Sequence, residues 1–122
     1  MKKILIVDDE PNIVMSLEYV FKKEEFEVFI ARDAAEAIEI VENNGIDIII
    51  LDIMMPNIDG FKALKYLKAD PGLSKIKIIV LSAKNKVSDI ELGLQFGADK
   101  YVSKPFSTKK IVNEVKELLT KK

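Results

Sequence analysis

Apolar residues fall into five short runs along the chain, at 4–7, 27–31, 48–51, 76–81 and 100–102. The third, Ile48-Ile49-Ile50-Leu51, has no polar interruption, as expected of a strand buried on both faces of a parallel sheet. Between the runs the spacing becomes helical. Ile13, Val14, Leu17, Val20 and Phe21 share one helix face, Ala34, Ala37, Ile38 and Val41 another, and Phe61, Leu64 and Leu67 a third. Val87, Ile90 and Leu94 mark a weaker fourth helix with Gly93 inside it, at a cost of about 1 kcal/mol against Ala. A last helix, starting at Ser107 or Thr108, buries Ile111, Val112, Val115, Leu118 and Leu119.

The punctuation agrees with this reading. Pro11 fits the first turn of a helix, and Asp8, Asp9 and Glu10 before it suit capping and the positive helix end. Asp33 is placed to cap the second helix, and Asn43-Asn44-Gly45 to end it. Asp59-Gly60 and Asp70-Pro71-Gly72 are turn signals. Strands alternating with helices predict an α/β fold, a (βα)5 doubly wound parallel five-stranded sheet with helices on both faces. Right-handed crossovers favour the flavodoxin-like order 2-1-3-4-5. No linker, repeat or low-complexity segment interrupts it, so residues 1–122 read as one domain.

That order places the carboxyl ends of strands one and three together at the switch point, where open α/β sheets bind ligands. Asp8 and Asp9 then face Asp52, and Ser82 and Lys104 end strands four and five along the same rim. Composition narrows what such a rim can do. With 19 basic and 20 acidic residues the formal net charge is −1, which gives no electrostatic case for direct nucleic acid contact or a membrane surface. Cys and His are both absent, which removes thiolate chemistry, the commonest general base and the commonest zinc ligand. Carboxylates, hydroxyls and lysines remain, a set suited to a hard cation such as Mg²⁺. The apolar run after Lys2-Lys3 is too short for a signal peptide and nothing approaches a membrane span, so a cytoplasmic protein is expected.

Close carboxylates in a partly desolvated cleft repel one another unless a cation intervenes. Mg²⁺ held by oxygen ligands, with Mn²⁺ as a substitute, resolves that repulsion, and a backbone carbonyl from the loop after Asp52 would add one oxygen. A carboxylate neutralised in this way can attack a phosphoryl group, with Lys104 as a mobile charge for a phosphoryl oxygen and Ser82 as a hydroxyl donor. Taken singly, each residue has a plainer reading: Asp9 as a helix N-cap, Asp52 as a loop acid, Ser82 as a strand end, Lys104 as a surface charge and Tyr101 as a strand aromatic. Their joint placement at four strand ends argues for the site.

The sequence resembles a bacterial two-component response-regulator receiver domain of the single-domain, chemotaxis-receiver-like kind. The likeness rests on Ile-Leu-Ile-Val-Asp-Asp-Glu at 4–10, Leu-Asp-Ile-Met-Met-Pro at 51–56 with Asp59-Gly60, and Val-Leu-Ser-Ala at 80–83. It continues in Gly-Ala-Asp at 97–99, Tyr101 and Lys104-Pro105-Phe106. The resemblance implies that Asp52 is the phosphoacceptor, taking its phosphoryl group from a sensor histidine kinase or phosphotransfer protein. It implies Mg²⁺ on Asp9, Asp52 and the backbone carbonyl of Met54, with Asp8 acting mainly through water. It makes Lys104 the phosphate-binding lysine, followed by a cis bond to Pro105.

In this family Ser82 occupies a switch hydroxyl position that more often carries Thr. Ser keeps the hydrogen bond but lacks the methyl that restricts the rotamer, so looser coupling is expected. Tyr101 matches the aromatic switch. Phosphorylation would draw Ser82 inward, let Tyr101 turn, and alter the face formed by the helix 87–96, strand five and the last helix, towards a downstream protein or output domain. A standalone receiver, a phosphorelay intermediate and a fragment of a longer regulator all remain open.

Two other readings share the architecture. A flavodoxin-like FMN binder needs a first loop that cradles phosphate, which Asp8-Asp9-Glu10 would repel without a cation. A carboxylate-nucleophile phosphatase would need a substrate-covering cap for which the chain has no room. Within the receiver reading, Met54 and Lys84 lie two residues beyond Asp52 and Ser82, flanking the approach of hydrolytic water. Neither is a general base, so self-dephosphorylation is expected to be slow. Replacing Met54 by Asn and Lys84 by Ala should change the decay rate of the phosphorylated protein, and an unchanged rate would count against that role.

Overall fold

The computed structural model describes residues 1–52, 66–70, 72–73, 75–82 and 97–120, apart from the side chain of Ser82. Strands β1 (Lys3–Val7), β2 (Glu27–Ala31), β3 (Ile48–Asp52), β4 (Lys77–Ser82) and β5 (Lys100–Ser103) form one parallel sheet in the order β2-β1-β3-β4-β5. This is the flavodoxin-like order expected from the sequence. Three helices are described in full, α1 (Pro11–Lys23), α2 (Ala34–Asn43) and α3 (Thr108–Thr120), and residues 66–69 are helical. The helix expected over 87–96 lies outside the described residues. Among the described residues no helix is long and apolar enough to cross a membrane.

Side chains on a strand alternate between faces, and this alternation divides the core in two. Ile4, Ile6, Ile48, Ile50, Ile79 and Leu81 pack with Leu17 and Phe21 of α1 and Ile111, Val115 and Leu118 of α3. Leu5, Val7, Ile49, Leu51, Ile78 and Val80 point the other way, towards Ala37 and Val41 of α2 and towards Leu67. All five residues of β3 are buried, which explains why that stretch reads as continuous rather than alternating hydrophobicity.

The helix ends differ from the sequence reading in physical detail. The N-cap position of α1 is Glu10, not Asp9, and no side chain caps it. Pro11 opens the helix with a fixed φ and one fewer N–H to satisfy, while Asp8 Oδ1 accepts the Glu10 N–H at 2.9 Å. Asp33 does cap α2, accepting the Glu36 N–H at 2.8 Å. At the other end of α2 the closing device is not glycine. Asn43 Nδ2 donates to the Glu39 carbonyl at 2.8 Å and Asn44 Nδ2 to the Ile40 carbonyl at 2.9 Å, while Gly45 is not left-handed.

Left-handed backbone occurs instead at Gly97, with φ of 109°, and at Glu25, with φ of 67°. A Cβ at Gly97 would stand 2.6 Å from Lys68 Cγ, so both conformation and space require glycine there. Glu25 sits in a Schellman turn that ends α1. Its N–H donates to the Lys22 carbonyl at 3.0 Å, the Phe26 N–H reaches the Phe21 carbonyl at 2.9 Å, and the two Phe rings meet edge to face at 5.2 Å.

A side chain in this conformation costs roughly 1–2 kcal/mol, partly offset for glycine by the greater entropy of its unfolded chain. Glu25→Gly is therefore expected to stabilise the protein by about 0.5–1 kcal/mol, raising the urea midpoint with an unchanged slope. A lower midpoint would show that Glu25 makes compensating contacts.

Candidate functional site

The register of the sheet builds the site. β1 and β3 are hydrogen-bonded neighbours with Val7 opposite Leu51, so the residues that follow, Asp8 and Asp52, emerge side by side at the carboxyl edge. Asp8 is 1% exposed and Asp52 3%, and among the described residues they are the buried charged groups. Asp9 is exposed. One carboxylate oxygen from each of Asp8, Asp9 and Asp52 lies within 4.8 Å of the others.

Lys104, one residue beyond β5, reaches across this cluster. Its Nζ donates to Asp52 Oδ2 at 3.1 Å and stands 3.4 Å from Asp8 Oδ2 and 3.7 Å from Glu10 Oε2. The Lys104–Pro105 peptide is cis. Asp8 Oδ2 is buried without a hydrogen-bond partner, because the nearby ammonium sits at ion-pair distance without hydrogen-bond geometry.

The electrostatics follow from these positions. Burial pushes the Asp8 carboxyl above its ordinary value; the Glu10 N–H opposes this, the Asp52 charge adds to it and Lys104 opposes it. For Lys104 burial disfavours the charge, but the hydrogen bond and charge of Asp52, followed by Asp8, outweigh it and hold the ammonium above its usual range. Among the described residues, Lys104 is the cation that meets the carboxylates of Asp8 and Asp52. A buried carboxylate oxygen without a hydrogen-bond partner and an all-oxygen donor set together fit a hard divalent cation.

The remaining expected site residues are placed unevenly. Ser82 ends β4 opposite Ser103 of β5, on the same rim as Asp52, but its side chain lies outside the described residues. Met54 and Lys84 also lie outside them. Tyr101 pairs with Val80 and packs, partly buried, against the core cluster on the α2 side of the sheet. Two residues escaped the sequence reading. Glu10, read there as a helix-end and first-loop acid but not as a partner of Lys104, is a further carboxylate on Lys104; its signal was the third acid of the run Asp8-Asp9-Glu10. Lys100 ties β5 to α3 through Glu114 at 3.3 Å and Glu117 at 3.4 Å, a pairing without a local signature.

A doubly wound parallel sheet that gathers aspartates and a lysine at the carboxyl ends of its strands defines a response-regulator receiver. The chain belongs to that family: the profile of the response regulator receiver domain matches residues 4–116. The alkaline phosphatase synthesis transcriptional regulatory protein PhoP of Bacillus subtilis is 40% identical over 118 residues, covering 97% of this chain and 48% of the relative. This chain thus spans about half the length of that protein.

A CheY-like receiver domain protein from Methanospirillum hungatei is 32% identical, with a TM-score of 0.88 over 98% of this chain and 94% of that one. The receiver domain of a sensor histidine kinase from Pseudomonas aeruginosa, solved with a magnesium ion coordinated in its active site cleft, is 26% identical. Its TM-score is 0.89, covering 98% of each chain.

The raised Asp8 value has a signed consequence for stability. Between the ordinary 3.8 and the higher folded value, the folded state retains a proton that the unfolded chain has released, so stability falls as pH rises through that window. In chelator, Asp8→Asn should abolish this slope and exceed the wild type at neutral pH by on the order of 1 kcal/mol, while keeping the acceptor for Glu10. Added Mg²⁺ should raise the melting temperature of the wild type more than that of the variant. Parallel pH profiles for the two proteins would overturn the assignment.

Proposed function

We propose that this chain is the phosphoacceptor domain, residues 1–122, of a two-component pathway. In this reading Asp52 accepts a phosphoryl group from the phosphohistidine of a sensor histidine kinase or phosphotransfer protein. The observation that carries it is the buried pair Asp8 and Asp52 with Lys104 Nζ 3.1 Å from Asp52 Oδ2 and an unsatisfied oxygen of Asp8 alongside. An Asp52 carboxylate oxygen attacks phosphorus, the bond to the donor imidazole breaks, and an acyl phosphate forms. The imidazole leaves with its electron pair and takes a proton from solvent. Lys104 then exchanges its contact with Asp52 for one with a phosphoryl oxygen.

Asp8, Asp9 and Asp52, joined by the Met54 carbonyl, would hold Mg²⁺ or Mn²⁺. The ion supplies charge neutralisation to the cluster and to the transferring group. The chain itself catalyses only its own phosphorylation and dephosphorylation and is a signalling domain rather than an enzyme acting on a separate substrate. Its output is a protein contact. The acyl phosphate brings about −1.5 to −2 charge and new acceptor oxygens to the rim, where the hydroxyl of Ser82 is drawn in and Tyr101 reorients. β5 and α3 then present a changed surface together with residues 87–96. The recipient is an output domain of the same polypeptide or a separate protein.

Incubation with Mg²⁺ and acetyl phosphate, followed by intact mass measurement, should add the mass of one phosphoryl group to the wild type and none to Asp52→Asn. Chelator should prevent the reaction. Beryllofluoride with Mg²⁺ should shift amide NMR signals from 84 to 111. Equal labelling of Asp52→Asn, or labelling indifferent to Mg²⁺, would refute the assignment; unmoved amides would refute the switch alone.

A further inference from the structure

The segment that feeds β3 lies at the opposite end of that strand from Asp52 and carries a reactive dipeptide. Asn44-Gly45 is the one Asn-Gly pair in the sequence. In such a pair the backbone nitrogen of the second residue can attack the side-chain carbonyl of the first, because no Cβ hinders the approach. Glycines at helix ends are commonly held in place by a left-handed conformation, but Gly45 is not. Its φ lies outside that region, it is exposed, and a Cβ built on it meets nothing within 4 Å. Among the described residues its N–H donates to no acceptor. The fold therefore neither requires glycine here nor occupies its nitrogen.

Two contacts restrain the reaction. The Ile46 N–H donates to the Asn44 carbonyl at 3.0 Å across Gly45. Asn44 Nδ2 donates to the Ile40 carbonyl at 2.9 Å, and the residue is extended, with φ of −139° and ψ of 148°. Asn43 makes the equivalent bond to Glu39 at 2.8 Å, but the residue after it carries a side chain. The two asparagines thus form a matched pair that differs in the residue following each.

We propose that Asn44 is a site of spontaneous deamidation, gated by release of its amide from Ile40, with water as the co-reactant. The Gly45 nitrogen bonds to the Asn44 side-chain carbonyl carbon, ammonia departs with the proton lost by that nitrogen, and a cyclic imide forms. Water then opens the ring at either carbonyl, leaving an aspartyl or isoaspartyl residue. The net change is water in and ammonia out, without oxidation or reduction.

Both products remove the donor that closes α2 and place a carboxylate at the negative end of the helix. The isoaspartyl product also lengthens the backbone immediately before β3. Here Ile46 is buried and Asp47 is fixed on both sides: its N–H donates to the Lys3 carbonyl at 2.9 Å, its Oδ2 accepts the Lys3 N–H at 2.8 Å, and its carbonyl accepts the Lys77 N–H at 3.2 Å. The strand fed by this segment is the one that delivers Asp52.

The test is to age the full chain in warm, mildly alkaline buffer and to map isoaspartate by enzymatic carboxyl methylation of its peptides. The label should concentrate on the peptide containing Asn44 and accumulate faster in urea, where the bond to Ile40 is broken. Gly45→Ala, for which there is room, should slow it by about an order of magnitude through the added Cβ while leaving the unfolding midpoint no lower than that of the wild type. Asn44→Gln should abolish it. Asn44→Asp, one of the two products, should lower the urea midpoint. Label spread equally over the other asparagines, a rate unaffected by Gly45→Ala, or equal rates in native and unfolded chains would overturn the proposal.

Discussion

Repulsion between Asp8 and Asp52 is the constraint around which this molecule is arranged. Two carboxylate oxygens within 4.8 Å repel by on the order of 3 kcal/mol at an effective dielectric near 20, and both side chains are almost wholly withdrawn from water. An isolated loop would relieve that repulsion by moving apart. It cannot happen here, because each acid follows directly on a strand buried on both faces. Ile4, Ile6, Ile48 and Ile50 are fixed against one helical layer, and Leu5, Val7, Ile49 and Leu51 against the other. The sheet is the clamp, and the hydrophobic effect supplies the force that keeps like charges together.

The relief available to the cluster is also the source of its chemistry. Lys104 offsets part of the repulsion, and its own burial would be unfavourable without the acids that hold it charged. Asp8 Oδ2, buried beside Lys104 without a hydrogen-bond partner, is destabilising in the protein alone. A divalent cation would find complementary charge in the acids, and a phosphoryl group would find it in Lys104 and that cation. Poor stability at this edge and readiness to react are two descriptions of the same arrangement.

Much of the fold was legible because it depends on simple alternation. Buried strands such as 48–51 show as unbroken apolar runs, the intervening helices show their own period, and handedness leaves few ways to wind them. The strand ends then locate Asp8, Asp52 and Lys104 together. The details that were missed depend on close geometry rather than periodicity. Pro11 moves the cap of α1 from Asp9 to Glu10, and paired asparagine amides close α2 where Gly45 suggested a left-handed turn. The requirement for Gly97 comes from Lys68, nearly thirty residues earlier in the chain. Asp99 belongs to the Gly-Ala-Asp motif, but its contact is equally distant in sequence: its carboxylate accepts the Ile78 N–H at 2.8 Å and so fixes the entry of β4 beside β5. No local window contains both partners of such contacts.

The position of β5 links the site to a surface. Among the described residues it is an edge strand, paired with β4 alone, and therefore has fewer restraints than the strands that carry the acids. At its entry Lys100 is tied to Glu114 and Glu117 of α3; just past its end Lys104 is tied to Asp52. Between them Tyr101 packs on one face of the sheet and Val102 on the other, against the layer that includes α3. A change in what Lys104 binds therefore acts on one end of a short strand whose other end is anchored to a helix. The strands that lead to the acids are thus central in the sheet, while β5, with Tyr101 and Lys104, lies at its edge beside α3.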